Sequence, residues 1–164
     1  MAGYLILTFL LAQAPPAKPC SSPEYRQFDF WVGEWVVHNP KGQQVGTNRI
    51  EKVEDGCGLQ ENWTASNGTT GRSINAYHPA IGKWVQAWVG GGSTLLLEGN
   101  YDGERMVLAG VSIGPSGGKT RDRITWSRVP DGKVRQLWEQ SADEGKTWTV
   151  AFDGTYSPRA PAKE

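Results

Sequence analysis

Between Arg121 and Ser141 the chain reads RDRITWSRVPDGKVRQLWEQS, two alternating runs joined by Val129-Pro130-Asp131-Gly132-Lys133. Proline at the first corner, aspartate next and glycine in the left-handed position suit a three-residue hairpin loop with a bulge. Val129 then pairs with Lys133, and counting back sets Ser127 against Arg135, Thr125 against Leu137 and Arg123 against Glu139. That face is largely charged and belongs outside. The opposite face sets Ile124 against Trp138 and Trp126 against Gln136, so this hairpin sends two tryptophans and a glutamine inward. A pair of long strands with a wet side and a dry side is the unit of an antiparallel sheet.

The same pattern continues in both directions. Turn signals stand at Asn39 to Gly42, Asp55-Gly56, Asn67-Gly68, His78 to Gly82, Gly90 to Gly92, Asp102-Gly103, Gly114 to Gly118 and Asp143 to Gly145, too closely spaced to leave room for helical crossovers. About ten strands in an up-and-down meander follow, and closing such a sheet removes its edges. The loop from His78 to Lys83 pairs Tyr77 with Trp84, Asn75 with Gln86 and Ser73 with Trp88. Its other face carries Ile74, Ala76, Val85 and Ala87, so both faces are partly apolar and the pattern does not orient them. The Asp55-Gly56 hairpin is equally ambiguous. A two-residue turn at Asp102-Gly103 would set Leu97 against Leu108, Gly99 against Met106 and Asn100 against Arg105, with Leu97, Met106 and Leu108 in the core. Upstream, Phe28, Trp31, Val32 and Trp35 are spaced as one short helical turn running into a strand. The fold expected is therefore all-β: an up-and-down antiparallel barrel with a short N-terminal helical turn.

With 164 residues, one domain can bury a sizeable core. Seventeen basic residues balance seventeen acidic ones, which leaves no excess charge for nucleic acid or an anionic membrane. Tyr4 to Leu11 (YLILTFLL) followed by Ala12-Gln13-Ala14 reads as an export signal, too short to span a bilayer. The expected organisation is a signal and Pro/Ala-rich linker over 1–19, the barrel domain over 20–158 and a disordered tail over 159–164, in a periplasmic or secreted protein. In an oxidising compartment Cys20 and Cys57 are candidates for one disulfide. The alternative is one buried thiol and one in a loose arm.

Several motifs invite a function and are better read as structure. Gly110-Val111-Ser112-Ile113-Gly114 matches a nucleophile elbow, yet no helical pattern follows it. Gly114 to Thr120 (GPSGGKT) has the look of a phosphate loop, but Ile113 stands where its first glycine belongs. Ser141-Ala142-Asp143-Glu144-Gly145-Lys146-Thr147-Trp148 fits an Asp-box, a turn braced by its own side chains. His38 and His78 have no neighbouring ligand at metal-binding spacing. Asn62-Trp63-Thr64 and Asn67-Gly68-Thr69 match glycosylation sequons.

Phe28 to Trp35 (FDFWVGEW), Asp55 to Leu59 with Glu61-Asn62-Trp63, Trp84 to Trp88 (WVQAW), Val134 to Ser141 (VRQLWEQS) and the Asp-box together resemble the bacterial domain of unknown function 1579 family, over about Glu24 to Tyr156. The resemblance implies a secreted protein with a lipocalin-like, calycin-type barrel and brings no activity with it. Gly33-Glu34-Trp35 is also similar to the G-x-W signature of lipocalins and of haem-binding nitrobindins, which implies a structural Trp35 under the barrel floor beside Gly33. Neither histidine stands in a counterpart of the haem-holding segment, so no cofactor and no metal are expected.

The leading functional expectation is an exported barrel that binds a small apolar or aromatic molecule, with Trp126, Gln136 and Trp138 as its wall and Gln86, Trp88 and Glu61 as companions. The rivals are a filled barrel whose tryptophans are plain core, a calycin-type enzyme with a carboxylate such as Glu61 in the cavity, and a structural or interaction protein using an exposed strand edge, which an apolar patch or an oligomer would support. No catalytic residue can be named from the sequence.

Overall fold

A computed structural model describes residues 18–114 and 117–160. The expected export signal, most of the linker and the end of the expected tail lie outside the described residues. Ten strands follow one another: β1 Gly33–His38, β2 Gln44–Val53, β3 Gly58–Ala65, β4 Thr70–His78, β5 Lys83–Gly90, β6 Ser93–Tyr101, β7 Arg105–Ile113, β8 Lys119–Val129, β9 Lys133–Ser141 and β10 Thr149–Pro158. Each pairs antiparallel with its neighbour in sequence, and β1 pairs with β10 through Val37 and Tyr156 to close the barrel. Closure satisfies the hydrogen-bonding edges that an open ten-stranded sheet would expose. Beyond β10, the Arg159 amide donates to the Glu34 carbonyl at 2.8 Å, so the expected loose tail is still tied at its first residue.

The β8–β9 register is the one the loop dictates, from Val129 against Lys133 to Arg123 against Glu139. The turn itself differs from expectation. Asp131 and Gly132 both take positive φ, 63° and 67°, as in a type I′ turn, and Pro130 precedes that pair. This turn matches the right-handed twist of the flanking strands. Arg123 and Glu139 form an outward ion pair at 3.0 Å.

The β4–β5 pairing also has the expected register, and the structure resolves its orientation: Ser73, Asn75, Trp84 and Gln86 are buried, whereas Ile74 and Ala87 are exposed. The β6–β7 register is a correction. Leu97 opposes Gly110, Gly99 opposes Leu108 and Tyr101 opposes Met106, two residues away from the expected pairing. The cause lies in Asp102, whose carboxylate accepts the Glu104 and Arg105 amides at 3.0 and 2.7 Å and so props a wider loop. Because side chains alternate with period two, a two-residue slip leaves Leu97, Met106 and Leu108 in the core.

One end of the barrel is plugged. The segment before β1 makes two 3-10 turns, Pro23–Arg26 and Asp29–Trp31, instead of a single helical turn. They insert Phe28 and Trp31, both 0% exposed, between Trp84 at the start of β5 and Trp126 near the end of β8. Phe28 stacks on Trp31 with centroids 5.0 Å apart. Burying two such rings stabilises the fold by roughly 3–6 kcal/mol at 1.5–3 per side chain. Trp35 is buried beside them and donates its indole N–H to the Trp31 carbonyl at 2.9 Å, which fixes the plug to β1. Gly33 has φ +149°, and a Cβ there would meet the Trp35 ring at 3.3 Å. Cys20 and Cys57 are disulfide-bonded and tie the arm before the plug to the β2–β3 turn.

Candidate functional site

Meander topology puts the ends of odd strands and the starts of even strands at the end opposite the plug. There a cavity of about 140 Å³ opens, walled by Trp63, Trp88, Trp138, Phe152, Leu95 and Ile124 and floored by the polar Glu61, Gln86, Gln136 and Tyr156. An apolar cavity of about 150 Å³ accepts benzene, whereas usual drug-sized sites run to about 300–1,000 Å³. The space therefore suits a molecule of about one ring.

The polar floor is a hydrogen-bonded belt running across six strands. From β5, Gln86 Nε2 donates to Asn75 Oδ1 at 2.7 Å, and Asn75 Nδ2 donates to Ser73 Oγ at 2.9 Å, both on β4. Ser73 Oγ donates to Glu61 Oε2 on β3 at 2.7 Å, and Asn48 Nδ2 on β2 donates to Glu61 Oε1 at 2.7 Å. Asn48 Nδ2 also reaches Tyr156 Oη on β10 at 3.5 Å, and Tyr156 Oη donates to Gln136 Oε1 on β9. The belt is possible because Asn48, Glu61, Ser73, Asn75 and Gln86 occupy inward positions of four consecutive strands. Asn48 Oδ1 is buried beside Glu61 with no hydrogen-bond partner among the described residues.

Glu61 is 4% exposed. Desolvation pushes its carboxyl up to about 7, and the hydrogen bonds from Ser73 and Asn48 pull against that rise. Burial first, and the facing Glu61 charge second, hold the Tyr156 phenol well above its ordinary value.

The aromatic wall is held in two ways. Inward glycines leave room for the rings: a Cβ on Gly71 would fall on the Trp88 ring, one on Gly46 would meet Trp63 at 2.5 Å, and one on Gly154 would meet Phe152 at 2.6 Å. Trp138 is instead tethered by its N–H, which donates to Asp122 Oδ1 at 2.8 Å. Asp122, 0% exposed, also accepts Gln140 Nε2 at 2.9 Å and Ser112 Oγ at 2.5 Å.

Of the residues proposed from sequence, Gln136, Trp138, Gln86, Trp88 and Glu61 come together on this cavity. Trp126 points inward as its register requires, but it lies in the plug against Phe28 and Trp31 and does not line the cavity. Sequence reasoning missed Asn48, Ser73, Asn75, Asp122 and Tyr156. For Asp122 a signal existed, since it shares strand parity with Ile124 and Trp126. Ser112, the serine of the elbow-like motif, sits inside β7, not on a strand-to-helix turn, and its hydroxyl donates to Asp122. The Asp-box is a braced turn: Asp143 accepts Thr147 Oγ1 at 2.6 Å, the Thr147 amide at 2.9 Å and Ser141 Oγ at 2.7 Å, which hold its carboxyl at about 2. Trp148 lies under the Arg123 guanidinium, 4.1 Å from ring centroid to carbon.

A second feature lies outside the barrel. Ile74, Ala87 and Leu96 form a cross-strand row over β4, β5 and β6, and Val89, Val111 and Ile113 extend an exposed apolar face toward β7, with Leu96 67% exposed. Among the described residues no cluster of side chains suits a metal ion, and no helix is long and apolar enough to cross a membrane. Compared with protein-family models and with curated proteins, the chain matches none.

Proposed function

We propose that this chain is an exported small-molecule-binding barrel whose ligand enters the end opposite the plug and is small, with an apolar or aromatic body. The observation that carries the reading is the combination of aromatic rings, seated on inward glycines, with a hydrogen-bonded polar floor around a cavity of about 140 Å³. A filled barrel would close this space with side chains at the glycine positions. Export is supported by the Cys20–Cys57 disulfide, since such bridges persist in oxidising compartments. We also propose that the chain belongs to the domain of unknown function 1579 family, whose motifs its sequence resembles over about Glu24 to Tyr156. Titrating ring-sized probes while following tryptophan fluorescence tests it, with Trp138→Ala and Gln136→Leu in parallel. Saturable quenching that weakens in both folded variants is expected. Unchanged affinity in both would remove these residues from the site.

A second reading, association through the outer face, is favoured by the exposed row Ile74, Ala87 and Leu96. Sedimentation of the wild type beside Leu96→Lys tests it. A monomer at all concentrations would set it aside.

A further inference from the structure

Among the described residues, neither Glu61 nor Asp122, the buried carboxylates of the barrel interior, has a cation to face. Glu61 is served by Asn48 and Ser73, and Asp122 by Ser112, Trp138 and Gln140, all neutral donors. Every ion pair among the described residues belongs to other acids. Among the described residues no lysine, arginine or histidine lines the cavity. A buried carboxylate without a countercharge costs folding energy unless it is protonated or meets a positive group. An anionic ligand would find no basic partner there and would be repelled by Glu61.

The walls complement such a positive group. Trp63, Trp88, Trp138 and Phe152 bring four aromatic rings around one space, and ring faces attract cations most strongly where water is excluded. The Trp138 N–H donates to the Asp122 carboxylate, which draws positive charge to that edge and leaves the ring more electron-rich.

Resting on the small-molecule reading above, we propose that the cavity selects a small organic cation, an ammonium-type group on an apolar or aromatic body of about one ring, with its charge lodged against Glu61. A carboxylate poised near neutral pH then makes occupancy pH-linked, because a proton and the cation compete for the same oxygens. Tyr156 on β10 and Asp122 on β8 also face the interior, and Asn48 and Ser73 flank Glu61 without titrating.

The test uses three probes of one shape, benzylammonium, benzyl alcohol and benzoate, titrated calorimetrically into the full mature protein at about pH 8, where Glu61 is ionised. Benzylammonium should bind about tenfold tighter than the alcohol, with benzoate weakest. Glu61→Gln should level the cation with the alcohol. If the alcohol or benzoate matches the cation, the charge selectivity is overturned and the small-molecule cavity stands. If none of the three binds, both fall. Should Glu61→Gln not fold, the unmodified protein decides: near pH 7, at about the Glu61 midpoint, cation binding must release protons, seen as a heat that changes with the buffer's ionisation enthalpy. A buffer-independent heat overturns the proposal.

Discussion

The Trp88 ring occupies the space that a Cβ on Gly71 would need, so the inner face of β4 yields its side chain to a ring from β5. Gly71 opposes Gly90 across this pair, and the ring rests on both. The cavity exists because a large residue leans onto an empty wall position and leaves the axis free.

Gly71→Ala should therefore drive Trp88 away from its seat. The expected loss of stability is roughly 1–3 kcal/mol for overpacking a fitted interior. Chemical denaturation measures it, and Trp88 displaced into the cavity should abolish probe quenching as well. A variant of wild-type stability with unchanged quenching would show that the ring has freedom to spare.

Glu61 gives the stability a pH dependence whose sign is set by its raised carboxyl, about 7 in the folded chain against an ordinary 4.5. Between those values the folded protein keeps a proton that the unfolded chain releases, so stability falls as pH rises through the window and levels off above it. The part due to Glu61 is on the order of 3 kcal/mol across the window. Urea unfolding from about pH 4 to 8 should show this fall in the wild type and lack it in Glu61→Gln. Tyr156 and Asp122 are common to both proteins, so the difference isolates Glu61.

Removing the Asp122 carboxylate would leave the Trp138 N–H, Gln140 Nε2 and Ser112 Oγ without their acceptor. Asp122→Ala should cost on the order of 3 kcal/mol, most of it the penalty of unpaired buried donors. Asp122→Asn keeps an acceptor for Trp138 and should cost less. Equal losses in the two variants, read from thermal unfolding, would contradict the assigned hydrogen bonds.

The Cys20–Cys57 bridge spans 37 positions. A Cys20→Ser, Cys57→Ser double variant should lose roughly 4 kcal/mol by the chain-entropy account. The plug enters the core through Phe28 and Trp31, so the variant should remain folded with its barrel intact. Circular dichroism and denaturant midpoints, compared under non-reducing conditions, check both parts.

Local chemistry in the sequence determined the strand order and much of the register. Pro130-Asp131-Gly132 and the loop after His78 define their hairpins through turn geometry, which acts over a few residues, and so Trp126, Gln136 and Trp138 could be placed on one face before any fold was known. The same locality fails at Asp102, where a side-chain carboxylate capturing two amides widens the loop, a choice that the Asp-Gly pair does not announce. Tertiary structure alone decided which face of β4–β5 turns inward, because both are partly apolar and only closure against β10 makes one of them the interior. It also decided the polar belt. The pattern leaves the Ser73 and Asn75 face unoriented, and Asn48 reaches Tyr156 only because the two ends of the meander meet. Finally, it separated Trp126 from the cavity: strand parity says which side of the wall a residue occupies, but height along the barrel depends on the plug that Phe28 and Trp31 drive between the strands.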